Sequence, residues 1–188
     1  GGEETDSTGL TAFGADGFTV GADTDYSDTT GDGMVAWCWK ANGSGSSNEE
    51  GSINTTATSA NVDAGFSIST YIGNQAGSAT VGHGLSKTPE MIIVKNRETS
   101  DSWGVYHHKN TAAPETDYLK LQSTGATEDD SGIWGDTAPT ATLVTISDSH
   151  IVNASAETYV MYCFHSVEGF SRVGLYYGNN NDTGPFIP

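Results

Sequence analysis

The stretch Gly82-His83-Gly84-Leu85-Ser86-Lys87-Thr88-Pro89-Glu90-Met91-Ile92-Ile93-Val94-Lys95-Asn96-Arg97 most constrains what this chain can fold into. Pro89 fixes its own φ and disfavours helix at Thr88. The apolar run behind it is β-branched and too short for a helix with a core face. The pattern predicts a buried central strand entered through a glycine turn. Ser102 to His107 then alternates, with Trp103, Val105 and His107 on one face and Ser102, Gly104 and Tyr106 on the other. It fits an antiparallel partner, reached through the polar loop from Asn96 to Asp101.

The rest of the chain repeats this idiom. Phe18-Thr19-Val20, Met34 to Trp39, Gly65 to Ile72, Tyr118 to Gln122, Leu143 to Ile146 and Tyr159 to Phe164 are short strand-like runs. In the run from Gly65, the residues Phe66, Ile68, Thr70 and Ile72 share one face of a half-buried strand. Gly, Asp, Asn, Ser and Thr fill the intervals, and no amphipathic helix stands out. The expected fold is all-β, an antiparallel β-sandwich with long polar loops. Its expected core includes Ile92, Val94, Trp103, Leu119, Val160 and Tyr162.

Charge excludes some functions. With 24 acidic against 7 basic side chains, the net charge is −17. Phosphate backbones need clustered Lys and Arg, so nucleic acid is not an expected partner. An anionic bilayer would repel the chain, and no run reaches the roughly 20 apolar residues of a membrane helix. Two cysteines make no disulfide framework. Cys38 and Cys163 both lie in apolar runs, and buried thiols are expected at each.

The chain also echoes itself. Val35-Ala36-Trp37-Cys38-Trp39 matches Val160-Met161-Tyr162-Cys163-Phe164, each preceded at similar distance by a short strand. Gly65-Phe66-Ser67 leads to Tyr71-Ile72-Gly73-Asn74, as Gly169-Phe170-Ser171 leads to Tyr176-Tyr177-Gly178-Asn179. The expected organisation is the end of one repeat at 1–45, a linker or long loop at 46–64, a complete repeat at 65–168, and the start of a third repeat or a C-terminal strand at 169–188.

The order VAWCWKANG, GFSISTYIGN, VGHGLSKTPEMIIVKNR, SWGVYHH, DYLKLQST, IWGDTAPT, YVMYCF and VEGFSRVGLYYGN resembles a repeated β-rich domain in structural proteins of tailed phages, marine and cyanobacterial phages above all. In that family the unit often adjoins a concanavalin-like sandwich in tail-fibre or adhesin-type virion proteins. The resemblance implies a virion protein, located on an extracellular particle. It implies no catalytic site and no enzyme. The expected role is a tail-fibre or spike component that attaches to host-surface glycans. The alternatives are a purely architectural capsid decoration or spacer and, more weakly, a glycan-degrading enzyme. Other virion proteins are expected partners, as is self-association, with a trimer favoured by the fibre reading.

Candidate chemistry is sparse. Asp23, Asp25, Asp28 and Asp32 crowd one loop, and calcium is the one cofactor that loop suggests. It lacks the EF-hand pattern, and a solvated acidic loop is the plainer reading. Tyr106, Tyr176 and Tyr177 are the candidate sugar-stacking rings. Trp103 and Trp134 sit in strand-like context and read as packing. His107 and His108 are adjacent, so on a strand they point to opposite faces and cannot chelate one metal. His83 reads as packing in its turn. No Gly-x-Ser-x-Gly elbow, phosphate loop or paired-Cys motif appears.

Overall fold

The computed structural model describes residues 2–4, 6–27, 31 and 33–187. Two compact units emerge, Glu3–Trp39 and a second comprising Gly1–Gly2 with Lys40–Pro188. The smaller unit holds one antiparallel hairpin, β1 (Leu10–Phe13) with β2 (Phe18–Val20). Its turn is closed by the Gly14 N–H donating to the Gly17 carbonyl at 2.7 Å. Residues 34–39, expected as a strand, form none, and Val35 and Trp37 are 77% and 78% exposed.

The larger unit carries the remaining strands. They are β3 (Ala57–Asn61), β4 (Phe66–Ile72), β5 (Ala79–Gly82), β6 (Met91–Asn96), β7 (Gly104–His107), β8 (Asp117–Lys120), β9 (Glu128–Asp129), β10 (Leu143–Ile146) and β11 (Thr158–Phe164). Seven make one antiparallel sheet in the order β3-β4-β11-β6-β7-β8-β9, and β5 pairs with β10 in a second. The expected pairing of the 91–96 and 104–107 runs is present, with Ile92 opposite Tyr106 and Ile93 opposite Val105. A single apolar cluster joins Ala79, Val81, Val144 and Ile146 of the small sheet to Ile92, Val94, Tyr159, Met161 and Cys163 of the large one. The fold is an all-β sandwich, as the strand patterns predict.

Two one-turn helices complete it. In α1 (Ser131–Trp134), the Asp130 carboxylate caps the Gly132 N–H at 2.8 Å and Gly135 leaves at φ +58°, a left-handed ending glycine adopts at little cost. In α2 (His150–Asn153), Ser149 caps the Ile151 N–H. Both are too short to carry a helical period, so the sequence shows only their caps and apolar residues. Trp134, Ile133 and Val152 anchor them in the core at 2% exposure or less.

Four expectations need correction. The stretch 46–64 is no linker: it contains β3, Ser46 bridges Thr58, and buried Ile53 bridges Val81. In β4 the face turned to the core is Ser67, Ser69 and Tyr71, each at 1% exposure or less, and not the Phe66–Ile68–Thr70–Ile72 face. Two small serines beside a large tyrosine suit this layer, because Tyr71 stacks on Tyr159 with centroids 5.2 Å apart. The Tyr71 hydroxyl also donates to the Val152 carbonyl at 2.6 Å. Alternation finds two faces but does not rank them here, because Phe66 and Phe164 on the other face are buried too, their rings 5.0 Å apart. Of the expected core, Ile92, Val94 and Val160 are buried, while Trp103, Leu119 and Tyr162 are only half-buried. The fourth correction is Cys38: its thiol is exposed, whereas Cys163 is fully buried, and both are free.

Candidate binding surface

The site residues expected from sequence do not converge. Tyr106 belongs to the core, 5% exposed, with its ring edge-on to Trp134 at 6.0 Å. Burial raises its phenol above the usual value and leaves no free ring face for a sugar. Position parity on β7 decides this, since Gly104 and Tyr106 point inward. Tyr176 and Tyr177 are 68% and 81% exposed and lie outside the strands, with their rings open to solvent.

In the acidic loop, the Asp25 N–H donates to the Asp23 carboxylate at 2.7 Å, a local turn. The Asp25 amide favours ionisation of Asp23, but the carboxyl of Asp6 beside it prevails and raises Asp23 overall. Asp28 and Asp32 lie outside the described residues. Among the described residues no group of three or more potential ligands is placed to hold a metal ion.

His83 is fully buried in its glycine turn. Its Nδ1 accepts the Leu85 N–H at 3.2 Å, leaving Nε2–H to face the Thr140 carbonyl at 3.3 Å. Burial lowers its pKa, so it packs as a neutral ring. His107 closes β7, but His108 has already left the strand. The alternation that would part them no longer applies, and their rings lie 5.4 Å apart.

That second histidine opens onto a feature no local motif announces. After β11 the chain makes a tight turn in which Val167 and Ser171 exchange backbone hydrogen bonds, with Gly169 at φ +74°. A cleft of about 450 Å³ lies against it, lined by Glu90, His108, Lys109, Glu168 and Arg172 among others. Glu90 is the hinge pin. It accepts the Ser166 N–H at 2.8 Å and the Ser166 hydroxyl, and that hydroxyl oxygen accepts the Val173 N–H at 2.9 Å. Partial burial opposes ionisation of Glu90, but the Ser166 hydrogen bonds and the neighbouring imidazoles outweigh it and hold the carboxyl below its ordinary value. The signal available in sequence was the run His107-His108-Lys109, basic in an acidic chain. Its partners Arg172 and Ser166 stand some 60 residues away.

Comparison with known proteins places the chain at the level of family. A family model described as domain of unknown function (DUF7483) matches residues 1–188. The chain belongs to that family. No curated protein and no solved structure matches it. The DUF7483 chain is thus a two-layer β-domain with an open, aromatic-bearing C-terminal segment and a polar cleft beside it.

Proposed function

We propose that this chain is a structural and adhesive β-domain of a phage virion, a tail-fibre or spike component that attaches to host-surface glycans. One observation carries the reading: a packed β-core coexists with a C-terminal segment whose Phe170, Tyr176 and Tyr177 are 72%, 68% and 81% exposed. Exposed rings beside Asn and Asp side chains are equipment for stacking on sugars, whose C–H faces complement aromatic faces. The family resemblance supports the virion setting, outside the cell. A glycan array probed with the chain and with its Tyr176→Ala/Tyr177→Ala double variant tests this. Retention of defined glycans, lost in the variant, is the expected outcome; an array blank for both overturns attachment.

A second reading, a purely architectural spacer or decoration, is favoured by Phe186 and Ile187, 90% and 57% exposed, which suit burial against other virion proteins. Both readings include self-association, as a trimer in the fibre case. With a net charge of −17, association should strengthen as salt screens repulsion between copies. Light scattering at low and seawater-like salt tests it, and a monomer at both removes the assembly claim.

A further inference from the structure

We propose that the cleft between Glu90, the His108-Lys109 corner and the 166–173 turn binds a saccharide ring bearing an anionic substituent, a carboxylate or a sulfate. The proposal rests on the attachment reading and names the class of sugar.

The first argument is where the scarce cations go. The chain has seven Lys and Arg side chains. Lys95 is buried and donates to the Thr99 carbonyl at 2.7 Å and to the Asn96 carbonyl, so it is consumed internally. Lys120 is paired with Glu128 at 2.6 Å. Lys109 and Arg172 instead line one cleft together with the His108 imidazole. The ion pairs among the described residues involve neither of them. In a chain of net charge −17, two cations here offset the two carboxylates of the lining, Glu90 and Glu168, and leave the cleft far less negative than the surface around it.

The second argument is that the Glu90 carboxylate is engaged in bracing the turn. Glu90 is held by two hydrogen bonds from Ser166, and Ser166 in turn holds Val173. The Glu90 carboxylate therefore fixes the turn that presents Arg172. His108 adds a second tie, with its backbone N–H donating to the Glu90 carbonyl at 2.9 Å and its Nε2 facing the Val173 carbonyl at 3.4 Å. Arg172 and Lys109 are thus carried on backbone braced from both sides, which lowers the ordering cost of binding.

The third argument is fit. About 450 Å³ suits one or two sugar rings. Glu168 on the rim and the turn's backbone groups can take ring hydroxyls, while the guanidinium offers paired N–H donors matched to a carboxylate or sulfate. The exposed Tyr176 and Tyr177 follow within five residues of Arg172, placing a stacking surface on the same segment.

The test is NMR titration of the chain with glucuronic acid, glucose, glucose 6-sulfate and inorganic sulfate, repeated on Lys109→Gln/Arg172→Gln and on Tyr176→Ala/Tyr177→Ala. Both cations are exposed, so the first variant should melt like the parent, and a thermal scan verifies this. The expected result is that at least one acidic sugar binds about tenfold tighter than glucose and loses that advantage when the cations are removed. Which acidic sugar responds separates carboxylate from sulfate recognition. Inorganic sulfate reproducing the shifts of the sulfated sugar at equal affinity overturns the saccharide claim. Acidic-sugar binding unchanged in the cation variant overturns the cleft. Neutral and acidic sugars binding alike, through the tyrosines, also overturns it while leaving attachment standing. A chain blind to these sugars and to the glycan array loses both readings.

Discussion

Val35-Ala36-Trp37-Cys38-Trp39 and Val160-Met161-Tyr162-Cys163-Phe164 are nearly the same sentence written twice, and they end in opposite environments. The second is β11, hydrogen-bonded to β4 on one side and β6 on the other, with Met161 and Cys163 fully buried. The first is outside the strands, with Val35 and Trp37 more than three-quarters exposed. Composition and alternation are equal, so neither made the difference. What β11 has is two neighbours whose edges match it in length and register. A strand-like sequence is half of an interaction, and its value is set by the ladder it meets.

Placing an aspartate in each copy breaks the comparison most sharply. Cys163→Asp buries an unpaired carboxylate and should cost at least about 3–5 kcal/mol, enough to unfold the larger unit. Cys38→Asp should stay within about 0.5 kcal/mol. Urea denaturation reads both, and equal costs would mean that residues 34–39 are as enclosed as β11.

Thiol chemistry measures the same contrast without substitution. Cys38 should react with a maleimide or aromatic disulfide reagent at the rate of a free thiol. Cys163 should react only on unfolding, since burial also pushes its thiol pKa up. Two equally fast thiols would refute the burial difference.

A smaller effect sharpens what β11 supplies. The Tyr159 hydroxyl donates to the His150 carbonyl at 2.7 Å and accepts the Ala154 N–H at 2.8 Å, while burial pushes its pKa up to about 12. Tyr159→Phe should cost about 1–3 kcal/mol by stranding the Ala154 amide and taking the stronger of two donors from the His150 carbonyl. No loss would mean that packing, and not this bridge to α2, holds the strand's start.

The smallest is a pH effect at His83. Its pKa is lowered in the fold by burial, so the unfolded chain takes up the proton first. Its effect on stability is therefore nil above the unfolded value of about 6.5 and grows as pH falls below it, until the folded ring also titrates. His83→Gln should flatten the stability profile between about pH 6.5 and 5, tracked by thermal melts. An unchanged slope would assign acid sensitivity to other groups.

Much of the sandwich was legible before any coordinates. Pro89 and the β-branched run behind it mark β6, and the alternation around Tyr106 marks β7. What stayed hidden was relational. Alternation in β4 could not rank its faces, since both bury aromatic or stacked residues. Residues 46–64 read as loop because their order comes from pairings, Ser46 with Thr58, Ile53 with Val81 and β3 with β4, and polar composition says nothing about partners. The cleft failed to show for the same reason. Only His107-His108-Lys109 is contiguous, and Glu90, Ser166 and Arg172 join it through tertiary structure.

The place of β11 has a consequence for how the chain is made. Its residues are the last strand in sequence, yet they sit between β4 and β6, pairing with partners about 90 and about 65 residues earlier. Until they leave the ribosome, β4 and β6 each present an unfilled edge, and β6 has only β7 to pair with. Synthesis at roughly 5–20 residues per second leaves those edges open for several seconds after β6 appears. Closure across such spans is slow by topology, so the nascent chain passes through a window in which foreign strands can take the vacant slot. A chain produced in many copies at once would meet its own neighbours in that window. Domain-swapped misassembly through β11 is therefore the failure to expect when synthesis is fast or the medium crowded.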